Sequence, residues 1–230
     1  MKTGTTQNHL LSRALAVLRE EGFINFWYRT LAYTVYRRAF YFELIIAEHP
    51  HVSHASPQIT VSLLTPEYIE EYLILHPEEY LENVRARLAA GGQCFVVRQN
   101  GRIVHSGWAA VRNVWITHLS KEITLAPDEV YTYESYTDPA FRGHDMALKK
   151  NEYMRHFFGN AGYRRLTGIV TPENKAGLRA INKIGYKPIG IFKQFRVGPW
   201  RYDSWVDLTP ASIRHYPELK LWHSEQDDRS

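Results

Sequence analysis

The segment Tyr131 to Ala147, reading YTYESYTDPAFRGHDMA, constrains this chain more than any other. Val130 to Thr137 is rich in Tyr and Thr and reads as a strand. Asp138 to His144 reads as a turn, and a helix then runs to about Asn160, with Ala147, Met154, Phe158 and Ala161 on one face. A strand that feeds a short loop into a helix brings free backbone N–H groups and the positive end of the helix dipole to one place. A pyrophosphate fits there because its oxygens accept those N–H groups. Gly143 allows a close backbone approach and unusual dihedrals, and Arg142 adds charge. An Arg-Gly loop alone is also what an ordinary turn looks like.

The elements around it are legible in order. Gln58 to Leu64 alternates as a strand, and Thr65-Pro66-Glu67 is a helix start. Two short helices follow, one before Pro77 and one ending at Gly91-Gly92. Gln93 to Gln99 and Arg102 to Arg112 are strands joined by the hairpin turn Asn100-Gly101. Gly107, inside the second of them, marks a bulge or a close approach by another part of the chain. Val114 to Ala126 reads as a turn and a short strand. Arg165 to Thr171 is a strand, and Pro172-Glu173-Asn174 opens a helix that ends near Gly185. Lys187 to Val197 and Arg201 to Leu208 form a last pair of strands around Gly198-Pro199. The order from Gln58 is β-α-α-β-β-β-α-β-α-β-β. Before it, His9 to Glu48 reads as helical in two pieces, broken at Gly22, and Pro50 to Pro57 reads as a linker. Residues 1–56 are therefore expected to be a helical extension, 57–209 the main domain, and 210–230 a loosely structured tail.

Charge is unevenly spread. Residues 141–201 hold 13 Lys and Arg against 3 acids, a net +10, whereas residues 57–140 carry −5. Such a block attracts a polyanion: nucleic acid, an anionic membrane or a phosphorylated cofactor; it is equally what a solvated basic face looks like. The one cysteine, Cys94, permits no intrachain disulfide and fits a reducing cytoplasm, and no signal-like or membrane-spanning apolar run is present. The 11 His residues are scattered without Cys or carboxylate at ligand spacing, so no metal site is expected.

The loop Arg142 to Ala147 resembles the cofactor motif of the GNAT superfamily of acyl-CoA N-acyltransferases: Gln or Arg, two residues, Gly, one residue, Gly or Ala. Arg142 matches the first position and Ala147 the last, and Asp145 stands where a Gly is usual. Thr171 to Asn174, followed by Ala180, Ile181, Lys183, Ile184, Gly185 and Tyr186, resembles the later motif of that superfamily, in which an Asn starts a helix that ends in a Gly-aromatic pair. The resemblance covers about Gln58 to Leu208. It implies an α+β fold with a central, mostly antiparallel sheet that splays apart between the strand ending at Thr137 and the strand Arg165 to Thr171.

The resemblance further implies acetyl-CoA, or another acyl-CoA, as co-substrate. The backbone of Ser135, Tyr136 and Thr137 would meet the pantetheine arm, the loop Arg142, Gly143, His144, Asp145, Met146 and Ala147 the pyrophosphate, and Asn174 the arm's far side. A primary amine of a small molecule, such as an amino sugar or an amino-acid-like compound, would attack the thioester directly. Glu134 is the candidate base and Tyr136 a second candidate catalytic group. The superfamily's frequent acid, a Tyr four residues before the helix-ending Gly, is Ile181 here. His105, His118, Trp108 and Trp115 are candidates for the acceptor side, although a lone His or Trp is more often structural. Cys94 reads as a buried strand residue. A long-chain acyl donor, on coenzyme A or a carrier protein, is the alternative within this fold; a non-catalytic ligand-binding module is the alternative outside it. Residues 23–46, aromatic and Arg-bearing, can pack on the domain, on a second subunit of a homodimer, or on a membrane surface. Such an extension resembles a bacterial subgroup linked to surface-polysaccharide building. No dedicated nucleic-acid surface is expected, since stacked aromatics among the basic residues are lacking.

Overall fold

The computed structural model describes residues 35–46, 58–116, 119–197 and 199–222. Its strands are β1 (Tyr36–Ile45), β2 (Ile59–Leu63), β3 (Gln93–Gln99), β4 (Arg102–Ala110), β5 (Asn113–Ile116), β6 (Lys121–Thr124), β7 (Glu129–Thr137), β8 (Arg165–Val170), β9 (Lys187–Val197) and β10 (Trp200–Asp207). Its α-helices are α1 (Ile69–Leu75), α2 (Leu81–Ala89), α3 (Met146–Asn160), α4 (Lys175–Ile184) and the short α5 (Pro210–Ile213). Two units are distinguished: a larger one, residues 40–191 and 207 onward, and a smaller one holding 192–206 and the residues up to Ala39.

In the larger unit a mixed sheet runs β9-β1-β8-β7-β4-β3-β2, and β5 pairs with β6 as a separate hairpin. All its pairings are antiparallel where the register is defined, except that β7 and β8 run parallel. The β3–β4 turn follows the sequence: Asn100 and Gly101 both take positive φ, 52° and 81°, as a tight hairpin requires. Alternation along the strands divides the core between two faces. On one, α1 and α2 pack Ile69, Tyr72, Leu75 and Val84 against Cys94, Val96, Ile103 and Trp108. On the other, Met146 of α3 meets Val97 and Val104, and Phe95 lies against Tyr153, Phe157 and Phe158.

The helical expectation for the segment before Pro50 is corrected from Tyr36 onward. Tyr36–Ile45 is a strand, and its residues Phe40 to Ile45 pair with β8 from Val170 back to Arg165. The reason is visible in retrospect: Phe40, Phe42 and Leu44 are buried at a period of two, which suits a sheet and not a helix. Residues 1–34 and 47–57 lie outside the described residues, so the earlier helical piece, half of segment 23–46 and the expected linker do too. Residues 210–222, the described part of the tail, are also better ordered than expected. Thr209 and Ser212 form a reciprocal capping box at α5. Leu219 and Trp222 are buried, and Trp222 donates its indole N–H to the carbonyl of Tyr186 at 2.7 Å. Val114 to Ala126 holds two strands, not one.

The smaller unit contains the second half of β9, from Phe192, and β10 as far as Val206. There Asp203 accepts from Gln194 at 3.1 Å and from Arg201 at 3.0 and 2.9 Å, and Phe195, Trp200, Tyr202 and Trp205 are exposed. Among the described residues no helix is long and apolar enough to cross a membrane.

Candidate functional site

The sheet opens where the sequence implied it would. The parallel ladder between β7 and β8 joins Glu129 to Thr132 with Arg165 to Gly168 and then stops. β7 continues to Thr137, while β8 ends at Val170, paired along its other edge with β1 throughout, Arg165 opposite Ile45 to Val170 opposite Phe40. The Thr132 hydroxyl donates to the Thr167 carbonyl at 2.9 Å and closes the last rung. Beyond it, the edge of β7 that faces β8 has no strand partner among the described residues. Such an edge offers unpaired N–H and C=O groups to an extended ligand. The base of the opening is held by the buried Glu129 carboxylate, which accepts from Tyr41, from Thr167 at 2.9 Å and from the Ala126 amide at 3.1 Å.

The other edge of β7 carries a bulge. Trp108 of β4 faces Tyr133, Ser106 faces Tyr136, and Gly107 alone stands opposite both Glu134 and Ser135. Glu134 has φ 49°, a left-handed conformation that is strained for a residue with a side chain. The bulge sends neighbouring side chains to opposite faces. Glu134 meets Arg87 of α2 at 2.6 Å, and that guanidinium also lies 3.9 Å above the Trp108 ring. Tyr136 lies on the same side, 5.2 Å from the ring of His76, which stacks on Tyr72 and contacts the Ser106 hydroxyl at 2.7 Å. Ser135 and Thr137 face α3. His105 is buried between them, with Nδ1 2.7 Å from Thr137 Oγ1 and Nε2 3.5 Å from Ser135 Oγ. Burial, then the nearby charge of Lys150, pushes its imidazole well below the usual histidine range.

The loop after β7 behaves as its sequence suggests. Asp138 accepts from the Ala140 amide at 3.0 Å and starts a 3-10 turn over Pro139–Phe141. Gly143 then takes φ 84°, and Asp145, just before α3, takes φ 61°. Asp145 thus holds the left-handed conformation for which a Gly is usual, and Asp is among the residues that tolerate it. Its carboxylate does not cap the helix; it accepts from Lys183 of α4 at 2.6 Å. The first turn of α3 keeps its N–H groups for another acceptor. Asn174 caps α4, its Oδ1 accepting from the Gly177 amide at 2.8 Å. A Cβ on Gly177 would stand 2.6 Å from Asn174 Nδ2, so the capping side chain as it is set lies over a glycine. Gly185 ends α4 at φ 98°, and the buried Tyr186 donates to Asn151 at 3.1 Å. Burial pushes its hydroxyl up to about 12.

Of the sequence candidates, Glu134 to Thr137 thus come together at the bulge and the open edge, and Arg142 to Ala147 directly follow them. Trp108 is core, donating its indole N–H to Tyr72 at 3.1 Å, and Trp115 is exposed. His105 belongs to the site's buried side, and His118 lies outside the described residues. Cys94 is buried, and burial pushes its thiol up to about 12. Sequence reasoning missed Arg87, His76 and, above all, Lys150. The last carried a signal: Met146, Lys150, Met154 and Phe158 recur every four residues, and all are buried.

No family model and no curated protein matches the chain. Solved structures do. The chain is similar to the GCN5-related glucosamine N-acetyltransferase region of a fungal multi-domain GH3 beta-N-acetylglucosaminidase, at 12% identity and a TM-score of 0.51, over 74% of this chain and 20% of that one. It is also similar to a GCN5-related N-acetyltransferase from Kribbella flavida, at 15% identity and a TM-score of 0.48, over 67% of this chain and 56% of that one. The matches therefore span little more than half of the Kribbella protein and a fifth of the fungal one. With the parallel β7–β8 pair splaying beyond Thr132 and a helix opening at the end of β7, this chain has the fold of the GCN5-related N-acetyltransferases, the GNAT fold.

Proposed function

We propose that this chain is an acyl-CoA-dependent N-acyltransferase that moves an acetyl group from acetyl-CoA to a primary amine of a small molecule. The observation that carries the reading is the unpartnered edge of β7 beyond Thr132, which leads directly into the free first turn of α3. An edge and a helix N-terminus in series suit a ligand with an extended amide-bearing arm ending in a pyrophosphate. The residues fit such a group. Ser135, Tyr136 and Thr137 would pair with the arm through their backbone, and Arg142 with the amides of Gly143 to Ala147 would hold the phosphates. Asn174, at the opposite lip, would flank the arm. Asp145 is no obstacle, because Lys183 neutralises its carboxylate.

Acyl-coenzyme A, when bound, supplies an acyl group activated as a thioester. The chain's own work is to orient that group and manage protons. A backbone N–H at the bulge polarises the acyl carbonyl. Glu134 takes the amine's proton through water, with Arg87 fixing the carboxylate's direction. Tyr136 and His76 line the approach on the α1 side.

Calorimetry with coenzyme A and acetyl-CoA tests the reading. Binding at micromolar concentration is expected, with weakening of at least about tenfold in Gly143→Val, where a branched residue meets φ 84°. Absence of heat from either ligand at millimolar concentration would overturn it.

A further inference from the structure

Lys150 is unused by the reading above and is the most costly side chain in the site's neighbourhood. It stands in the second turn of α3 at 2% exposure, and no carboxylate pairs with it among the described residues. Its Nζ donates to Ser135 Oγ at 3.2 Å. The fold makes room for it: a Cβ on Gly107 would collide with Nζ and come within 3.2 and 3.3 Å of Cδ and Cε. The bulge that places Glu134 and Ser135 opposite Gly107 therefore also houses the lysine. The titratable groups facing it are Cys94 of β3 and His105 of β4, with the Arg87–Glu134 pair beyond Cys94. A buried ammonium with one hydroxyl partner is unfavourable compared with an apolar residue of similar length. Ser135, by contrast, is exposed and sits at the start of the open edge. The pair thus links a buried proton source to the surface where a ligand would lie.

We propose that Ser135 is the catalytic acid of the transfer and that Lys150 supplies its proton. This rests on the acyl-CoA reading. As the C–N bond forms, the C–S bond breaks and sulfur leaves with the electron pair. In one concerted shift sulfur takes the Ser135 hydroxyl proton and Ser135 Oγ takes a proton from Lys150 Nζ. The proton lost by the amine returns to Lys150 through solvent between turnovers. Lys150 acts through Ser135 and is a positioning and proton-supplying residue; His105, between Ser135 and Thr137, fixes the hydroxyl's direction. The arrangement answers the absence of a proton donor at Ile181. Burial lowers the Lys150 ammonium to about 8, which keeps it able to give up a proton near neutral pH.

The test uses free coenzyme A bound to the full chain, its thiol titrated by ultraviolet thiolate absorbance. In the unaltered protein the bound thiol is expected to titrate about one pH unit below free coenzyme A, a roughly tenfold gain in thiolate. Ser135→Ala and Lys150→Met are each expected to return it to the value of free coenzyme A, with affinity at pH 6 changed less than about threefold, because the backbone contacts remain. Should Lys150→Met fail to fold, Ser135→Ala, which removes an exposed hydroxyl, decides alone. A bound thiol that titrates like the free one, or a shift that survives in Ser135→Ala, overturns the proposal and leaves the acyl-CoA reading standing. Failure of coenzyme A to bind the unaltered protein overturns both.

Discussion

The loop from Arg142 to Asp145 and the notch at Gly107 both serve the end of β7, yet they are built in opposite ways. The loop is exposed and works through its backbone. Its one departure from the usual pattern, Asp145, is absorbed by a left-handed φ of 61° and an exposed ion pair with Lys183. The notch is buried and works through side chains: glycine on one strand, a bulge on the next, a lysine from the helix above. A site made of N–H groups tolerates changes of side chain; a site made of one buried ammonium does not.

The largest expected effect lies at the notch. With acetyl-CoA and a turned-over amine, Ser135→Ala should lower kcat by about a hundredfold while leaving the acetyl-CoA constant nearly unchanged, read by thiol release. A fall in binding alone would place Ser135 with the loop and dissolve the contrast. Glu134→Gln should lower kcat on a similar scale if Glu134 is the base.

Stability separates the regions next. Gly107→Ala puts a methyl group where Lys150 Nζ lies and should cost about 1–3 kcal/mol in denaturant unfolding. Lys150→Met should do the reverse at neutral pH. The Lys150 pKa falls from 10.5 to about 8 on folding, so the folded state is penalised fully below pH 8 and not at all above 10.5. The variant's advantage, on the order of 1–3 kcal/mol, should therefore be present at pH 7 and fade as pH rises between those values. A variant that is stabilised yet inactive marks a residue kept for chemistry.

The smallest effect belongs to the loop. Asp145→Gly should change stability by less than about 1 kcal/mol, since it removes an exposed ion pair and relieves a positive φ. Coenzyme A should bind equally well or a few times more tightly in calorimetry. A large loss would show that Asp145 does more than occupy a turn.

The same contrast explains what could be read from the sequence. Apart from the hairpin at Asn113 to Thr124, the strands from Gln58 onward, the Asn100-Gly101 turn, the Gly185 stop and the Arg142 loop rest on local rules of turns, caps and periodicity, and they lie where those rules put them. Tyr36–Ile45 was misread because it is ringed by helix formers and aromatics, and its strand character is settled by a distant partner, β8. The tail was misread for a similar reason, since Trp222 is ordered by the carbonyl of Tyr186. Gly107 could be marked as a bulge or a close approach, but not as the seat of Lys150, because that contact joins three elements. The four-residue stripe through Lys150 was the available signal, and a lysine in an apolar stripe is its only trace.

The central claim is that the open edge of β7 and the first turn of α3 hold one extended ligand. A crystal structure with coenzyme A tests it most directly. The account expects the arm along Ser135 to Thr137 and the pyrophosphate against the amides of Gly143 to Ala147. Coenzyme A bound with its arm away from Ser135 to Thr137, or with its pyrophosphate away from those amides, would contradict it.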